Sequence, residues 1–208
     1  MLFIGITGGV GAGKSALLAY LKQHYRCRVL LADEIAHTVM EPGTACNRRL
    51  QELFAGDGVF GEDGTIDRPR MAQVLFTDDA KREALNAIVH PAVKDYVLGE
   101  ERTERAAKRV DLLVLEAALL IEENYDAVCD ELWYIYTSEE NRRKRLAASR
   151  GYSDEKISGI FASQLPEEEF RRHCAEVIDN NGTPEESFTQ LDQILQRKNV
   201  QRMEGQPR

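Results

Sequence analysis

Several things are scarce in this chain, and each scarcity excludes something. Cysteine occurs four times in 208 residues, at Cys27, Cys46, Cys129 and Cys174, and no two are spaced as CxxC. Such scattered thiols suit neither a zinc site nor a redox dithiol and read as reduced, packed side chains. No stretch reaches the ~18 consecutive apolar residues that a bilayer-spanning helix needs. The apolar opening Leu2 to Ile6 is interrupted at once by Gly8, Gly9 and Gly11, with no basic segment before it, so it does not read as a signal peptide. A surplus of positive charge is missing too. Against 27 Lys and Arg stand 35 Asp and Glu, a formal net charge of -8, which disfavours a general binder of nucleic acid or anionic membrane. The four histidines (His24, His37, His90 and His173) are too dispersed for a metal cluster by spacing. There is no internal repeat. The expectation is a cytoplasmic protein with no nucleic-acid or membrane partner, and no oligomer is predicted.

What is present is a globular composition: 43% hydrophobic and 30% charged residues, enough to bury a core without disulfide or metal. Five short apolar runs read as buried strands: Leu2 to Thr7, Cys27 to Ala32, Val110 to Leu115, Glu131 to Thr137, and Glu176 to Asp179. They do not alternate cleanly, which suits strands of a parallel sheet covered on both faces. Helical patterns lie between them, beginning with Ser15 to His24, where Leu17, Leu18 and Leu21 mark one face. The segment Glu34 to Lys108, about 75 residues, is too long for a simple crossover and lacks a convincing strand. It contains a Gly/Asp-rich turn region from Gly56 to Gly64 and ends in a charged helix, Glu100 to Arg109. We read it as a helical insertion able to hold a second substrate. Ser138 to Arg172 is dense in charge, including Arg142, Arg143, Lys144, Arg145 and Arg150, and reads as a solvated helical hairpin or a lid. Residues beyond Leu195 are polar and read as frayed.

The most specific signal is Gly8-Gly9-Val10-Gly11-Ala12-Gly13-Lys14-Ser15, which fits G-x-x-x-x-G-K-[ST] between an apolar strand and an amphipathic helix. Glycines there let consecutive N–H groups face phosphate oxygens at a helix N-terminus. Lys14 would reach the β- and γ-phosphates, and the Ser15 hydroxyl would ligate Mg²⁺. Asp33, at the carboxyl end of the second strand, could accept a proton from an acceptor hydroxyl, hold Mg²⁺ through water, or cap the helix starting near Glu34. Glu116 ends the third strand and is a candidate near Mg²⁺, or simply a solvated acid. With a phosphate loop present, the basic cluster gains weight as a closing lid that neutralises phosphoryl charge.

These residues resemble the dephospho-coenzyme A kinase family from about residue 3 to 193. The resemblance is carried by the loop Thr7 to Ser15, by Ala32-Asp33-Glu34-Ile35-Ala36-His37, and by Asp63-Gly64-Thr65-Ile66-Asp67-Arg68 with Val74-Leu75-Phe76. It continues in Leu85-Asn86-Ala87-Ile88-Val89-His90-Pro91, Leu119-Leu120-Ile121-Glu122 and Ile178-Asp179-Asn180-Asn181-Gly182. It implies a three-layer α/β P-loop fold with a five-stranded parallel sheet. The core would comprise residues 1–36, 109–137 and 173–195, with a CoA-binding insertion at about 37–108, a lid at about 138–172 and a polar tail at 196–208. It implies ATP and dephospho-CoA as partners and Mg²⁺ as cofactor, with Lys14 and Asp33 catalytic and Ser15 and Glu116 near the metal. Gly9, Val10, Gly11, Ala12, Gly13, Lys14, Ser15, Ala16, Arg145, Arg150 and Asn181 would bind ATP. Asp33, His37, Arg68 and His90 would meet the acceptor. The chain departs from the family's pattern at Leu31, Glu116 and Ala118, and in the lid at Ser149 and Ile160, where arginine is common. A kinase for another small acceptor, such as a nucleoside monophosphate, or a nucleotide-dependent regulator would share the loop.

Overall fold

In the computed structural model the described residues run from 1 to 203; the last five residues of the 196–208 tail lie outside them. The chain forms two compact units. One gathers the residues up to Leu30 and from Thr103 onward, and the other is Leu31–Arg102.

The first unit is built on a parallel sheet of five strands: β1 (Leu2–Thr7), β2 (Cys27–Leu31), β3 (Leu112–Glu116), β4 (Glu131–Tyr136) and β5 (Glu176–Asp179). Their spatial order is β2-β3-β1-β4-β5, so β1 is central. Ile4 lies opposite Val114 on one side and Glu131 on the other. Consecutive residues of the inner strands are buried, among them Phe3 and Ile4, Leu112 to Leu115, and Leu132 to Ile135. Successive strand residues point to opposite faces, so burial of every residue means both faces are covered. Each such Leu, Ile or Val side chain contributes roughly 1.5–3 kcal/mol on removal from water. Helices α1 (Lys14–His24), α6 (Glu139–Arg150), α7 (Asp154–Ala162), α8 (Glu167–His173) and α9 (Pro184–Arg197) complete this unit. Three of them, α6, α7 and α9, begin with side-chain caps that explain where they start. The Ser138 hydroxyl accepts from Asn141 N–H in α6, and Thr183 and Glu186 form a reciprocal capping box at α9.

The second unit holds α2 (Ala32–Val39), α3 (Ala45–Leu53), α4 (Arg68–Thr77) and most of α5 (Asp79–Ala107). Buried Asn47 is its polar centre. Its side-chain amide donates to the carbonyls of Met40 (2.9 Å) and Gly64 (3.0 Å), fastening the Gly56–Gly64 turn region to the end of α2. Among its described residues there is no strand, only a bridge between Phe60 and Ile66. Asp67 caps α4 through Arg70 N–H. Helix α5 is longer than the charged segment read from sequence: it runs 29 residues and continues through Pro91.

Three details differ from the sequence reading. Strand β3 begins at Leu112 rather than Val110, because Asp111 and Leu112 N–H are taken by the Arg26 carbonyl. Asp33 is not a helix cap: α2 starts at Ala32, so Asp33 sits inside its first turn, where a carboxylate still favours the helix dipole. Residues 196–203 are docked rather than frayed. Val200 is buried, Arg202 pairs with Asp192 at 2.9 Å, and Met203 N–H donates to the His24 carbonyl. Among the described residues no helix is long and apolar enough to cross a membrane.

Within the first unit, the last turns of α5 carry a buried carboxylate. Glu104 is 2% exposed, and it accepts from Arg109 Nη2 and from Arg28 Nη1, each at 2.7 Å. Arg109 and then Arg28 hold its pKa below the usual carboxylate range. A depressed pKa stabilises the fold above the ordinary Glu value of about 4.3, and that stabilisation is lost as pH falls through the lowered value. Glu104→Ala should therefore lower unfolding free energy by about 1–3 kcal/mol at pH 7, a moderate figure because both arginines can rehydrate. The difference from wild type in urea unfolding should shrink below about pH 4, roughly the ordinary carboxylate value.

Candidate active site

Strand β1 delivers the chain to the loop Gly8 to Gly13, and α1 carries it away. Gly11 and Gly13 have φ of 84° and 85°, in the left-handed region where a side chain would be strained. A Cβ on Gly13 would also fall 2.6 Å from Asn180 Nδ2. Gly13 precedes α1 without any side-chain cap, so the positive end of the helix is left to a ligand.

A loop that turns N–H groups toward an anion must turn carbonyls the other way, and these need donors. The Ala12 carbonyl receives three: Asn180 Nδ2 at 2.7 Å, Thr137 Oγ1 at 3.1 Å and Arg145 Nη1 at 3.3 Å. Thr137 and Asn180 are buried, and each directly follows a strand, β4 and β5 respectively. Asn180 is itself held, its Oδ1 accepting from Ser187 Oγ and its carbonyl from Arg145 Nη2. Sequence reasoning missed both residues as members of the site. The available signal was a polar residue just past the carboxyl end of an apolar strand, β4 for Thr137 and β5 for Asn180.

Lys14 Nζ donates to the Gly8 carbonyl at 2.7 Å and lies 3.4 Å from Glu116 Oε1. The structure thus brings Glu116 to the phosphate loop. Ser15 is exposed in the first turn of α1, as is Ala16 beside it.

The basic cluster divides sharply along α6. Arg143 is engaged by Glu139, Asp154 and Ser158, and Lys144 by Glu140. Arg150 is exposed, with its guanidinium 5.9 Å from the Tyr152 ring. Arg145 serves the back of the loop, as described. Arg142, one helical turn before Arg145, reaches the loop's front. Its Nη1 lies 1.5 Å from where a Cβ on Gly9 would stand, it donates to Gln164 Oε1 at 3.2 Å, and its guanidinium is 4.0 Å from the Phe161 ring. Spacing of three along a helix would have grouped Arg142 with Arg145. The Asn181 side chain joins the segments after β4 and β5: its Oδ1 accepts from Ser138 N–H and Asn141 Nδ2.

The four acceptor candidates lie in the second unit. Asp33 and His37 are exposed one turn apart on α2, exposed Arg68 opens α4, and His90 lies within α5.

Removing the loop's strongest rear donor should be costly. Asn180→Ala should weaken ATP binding about tenfold and lower stability by about 1–3 kcal/mol, because it leaves a buried carbonyl short of a partner. Nucleotide titration and thermal unfolding of the same variant separate the two effects.

Comparisons with known proteins agree with this geometry. The dephospho-CoA kinase family model matches residues 2–186. A curated dephospho-CoA kinase from Geobacter sulfurreducens is 37% identical over 199 residues, covering 95% of this chain and 99% of the relative. A solved structure from Thermus thermophilus superposes with a TM-score of 0.75 at 31% identity, covering 94% of this chain and 97% of the other. The fold is shared with a dephospho-CoA kinase from Campylobacter jejuni, with a TM-score of 0.70 at 18% identity over 95% and 98% of the two chains. With a strand-loop-helix built for phosphate and a family match that runs through both units, this chain is a kinase belonging to the dephospho-CoA kinase family.

Proposed function

We propose that this chain moves the γ-phosphoryl group of ATP to the ribose 3′-hydroxyl of dephospho-CoA, the step that completes coenzyme A. The observation that carries the reading is the family match over residues 2–186 on a chain whose Gly8–Ser15 loop is shaped to hold a nucleotide's phosphates. The bond between the β-γ bridging oxygen and the γ-phosphorus breaks as the 3′-oxygen bonds to that phosphorus. ADP leaves with the bridging oxygen, and the hydroxyl proton is released.

Roles follow from charge and position. Loop N–H groups and the start of α1 take the phosphate oxygens. Lys14 exchanges Gly8 and Glu116 for the β- and γ-phosphates. Asp33 lies two residues past the carboxyl end of β2, the end of a parallel sheet where ligands sit, and accepts the hydroxyl proton. The oxygen donors offered by Ser15 and Glu116 fit Mg²⁺, which keeps several waters and takes the rest of its ligands from phosphates. When bound, that ion would neutralise charge developing between the β- and γ-phosphates. His37, Arg68 and His90 are assigned to the acceptor, and Leu31–Arg102 to a CoA-binding region. Helices α6 to α8 act as the lid that excludes water from the γ-phosphoryl group. Four free thiols suit the reducing cytoplasm in which we place the protein.

The test is ADP release by purified protein with Mg²⁺-ATP against dephospho-CoA, nucleoside monophosphates and no acceptor, with mass detection of product. Gain of one phosphate on dephospho-CoA alone is expected; transfer to a monophosphate instead would overturn the acceptor assignment. Lys14→Ala should reduce turnover by about 10²–10³, since it removes charge placed against the transferring group. Asp33→Asn should keep ATP affinity while depressing kcat by a similar factor of ~10². Near-normal turnover in either variant removes that residue from the chemistry.

A further inference from the structure

Arg142 is a cation without a carboxylate in salt-bridge contact among the described residues. Arg143, Lys144, Arg171 and Arg172 each pair with a carboxylate nearby. Among the described residues Arg142 has no such partner: its polar contact is the neutral Gln164 amide oxygen. Its Nε is buried with no hydrogen-bond partner. Burial pushes the Arg142 pKa down and outweighs the field of nearby Glu139, the mark of a half-buried guanidinium with no anion in contact. Holding a bare cation in that state is unfavourable unless something else gains by it.

Its surroundings show what would gain. Phe161 supports one face of the guanidinium, and a ring at that distance attracts a cation. Gln164 fixes Nη1, and the same group lies directly over Gly9, where only the missing side chain makes room. Lys14 Nζ rests on the carbonyl of Gly8, the neighbouring residue. Two cations therefore flank the start of the loop, the end from which Lys14 reaches the β- and γ-phosphates, while Arg145 is used up behind it. Arg142 also lines a cavity of about 390 Å³ with Tyr134, Phe161, Gln164 and Phe170, and with Glu139 and Glu167, neither in salt-bridge contact with it, so the guanidinium has space in which to turn.

We infer that Arg142 binds the terminal phosphoryl group of the nucleotide, and that Phe161 and Gln164 are positioning residues that hold its guanidinium over Gly9 before the nucleotide arrives. The inference deepens the kinase reading and rests on it for the donor, but not for the acceptor. On binding, Arg142 gains the anion it lacks, a planar guanidinium meeting phosphate oxygens with two N–H groups at once.

The experiment measures ATP, ADP and adenosine affinity without acceptor, then kcat and KM with dephospho-CoA. Arg142→Gln should lose ~10-fold or more in ATP affinity, as expected for a charge-assisted hydrogen bond, with less than threefold change for ADP or adenosine. Unchanged adenosine binding shows that the variant is folded. Arg142→Lys should recover part of the ATP affinity, and added guanidinium ion should raise turnover of Arg142→Ala. Phe161→Leu should shift ATP affinity several-fold in the same direction without moving adenosine. Equal losses for ATP, ADP and adenosine, or ATP affinity and kcat unchanged in Arg142→Gln, would overturn the inference. If wild type binds ATP but does not phosphorylate dephospho-CoA, the acceptor assignment fails and the binding results still judge Arg142.

Discussion

An anion-binding loop has a reverse side, and the rest of this site depends on how that side is satisfied. Consecutive peptide N–H groups can converge on phosphate only if intervening carbonyls point back into the protein, where water is absent and an unpaired acceptor costs free energy. Here the Ala12 carbonyl gathers donors from the ends of β4 and β5 and from α6. The order of strands places β4 beside β1 and β5 beside β4, so the sheet topology itself brings these donors to the loop. Two positive-φ glycines then complete a shape that other residues would strain.

Charge is allocated by the same logic. The chain is acidic overall, yet along α6 Arg143 and Lys144 are matched by glutamate and aspartate, so their fields largely cancel. Those that face the loop, Lys14 and Arg142, differ from one another. Lys14 is held by a carbonyl and a carboxylate, whereas Arg142 is held by a ring and an amide. An acidic molecule thereby presents its compensating positive charge mainly where an anionic nucleotide would approach.

The sheet was legible because its strands are continuous apolar runs, a pattern that survives without tertiary information; only their ends shifted, by Arg26 capturing two N–H groups before β3 and by α2 starting at Ala32. The loop was legible because its spacing has few other uses. What remained hidden was the division of labour in the basic cluster. Arg145 reads in sequence like a phosphate ligand but serves carbonyls, and Arg142 reads like a solvated charge but lies over Gly9. One turn of helix separates them, and which faces the loop's front is decided by Phe161 and Gln164, residues on a different helix and the turn after it. Thr137 and Asn180 were hidden for the same reason: their importance lies in where the sheet carries them, not in any local pattern. The anchored segment 196–203 reads as frayed because its polarity conceals one buried valine and two arginines paired with carboxylates.

The bond from Asn180 to Ala12 spans 168 positions of sequence. The loop is synthesised well before its rear support. Between the two, a nascent chain carries the glycine-rich segment without the Asn180 donor that completes the set on the Ala12 carbonyl. The rear of the loop is completed only when β5 has paired with β4, so a chain cut short before that strand leaves the Ala12 carbonyl without its closest donor.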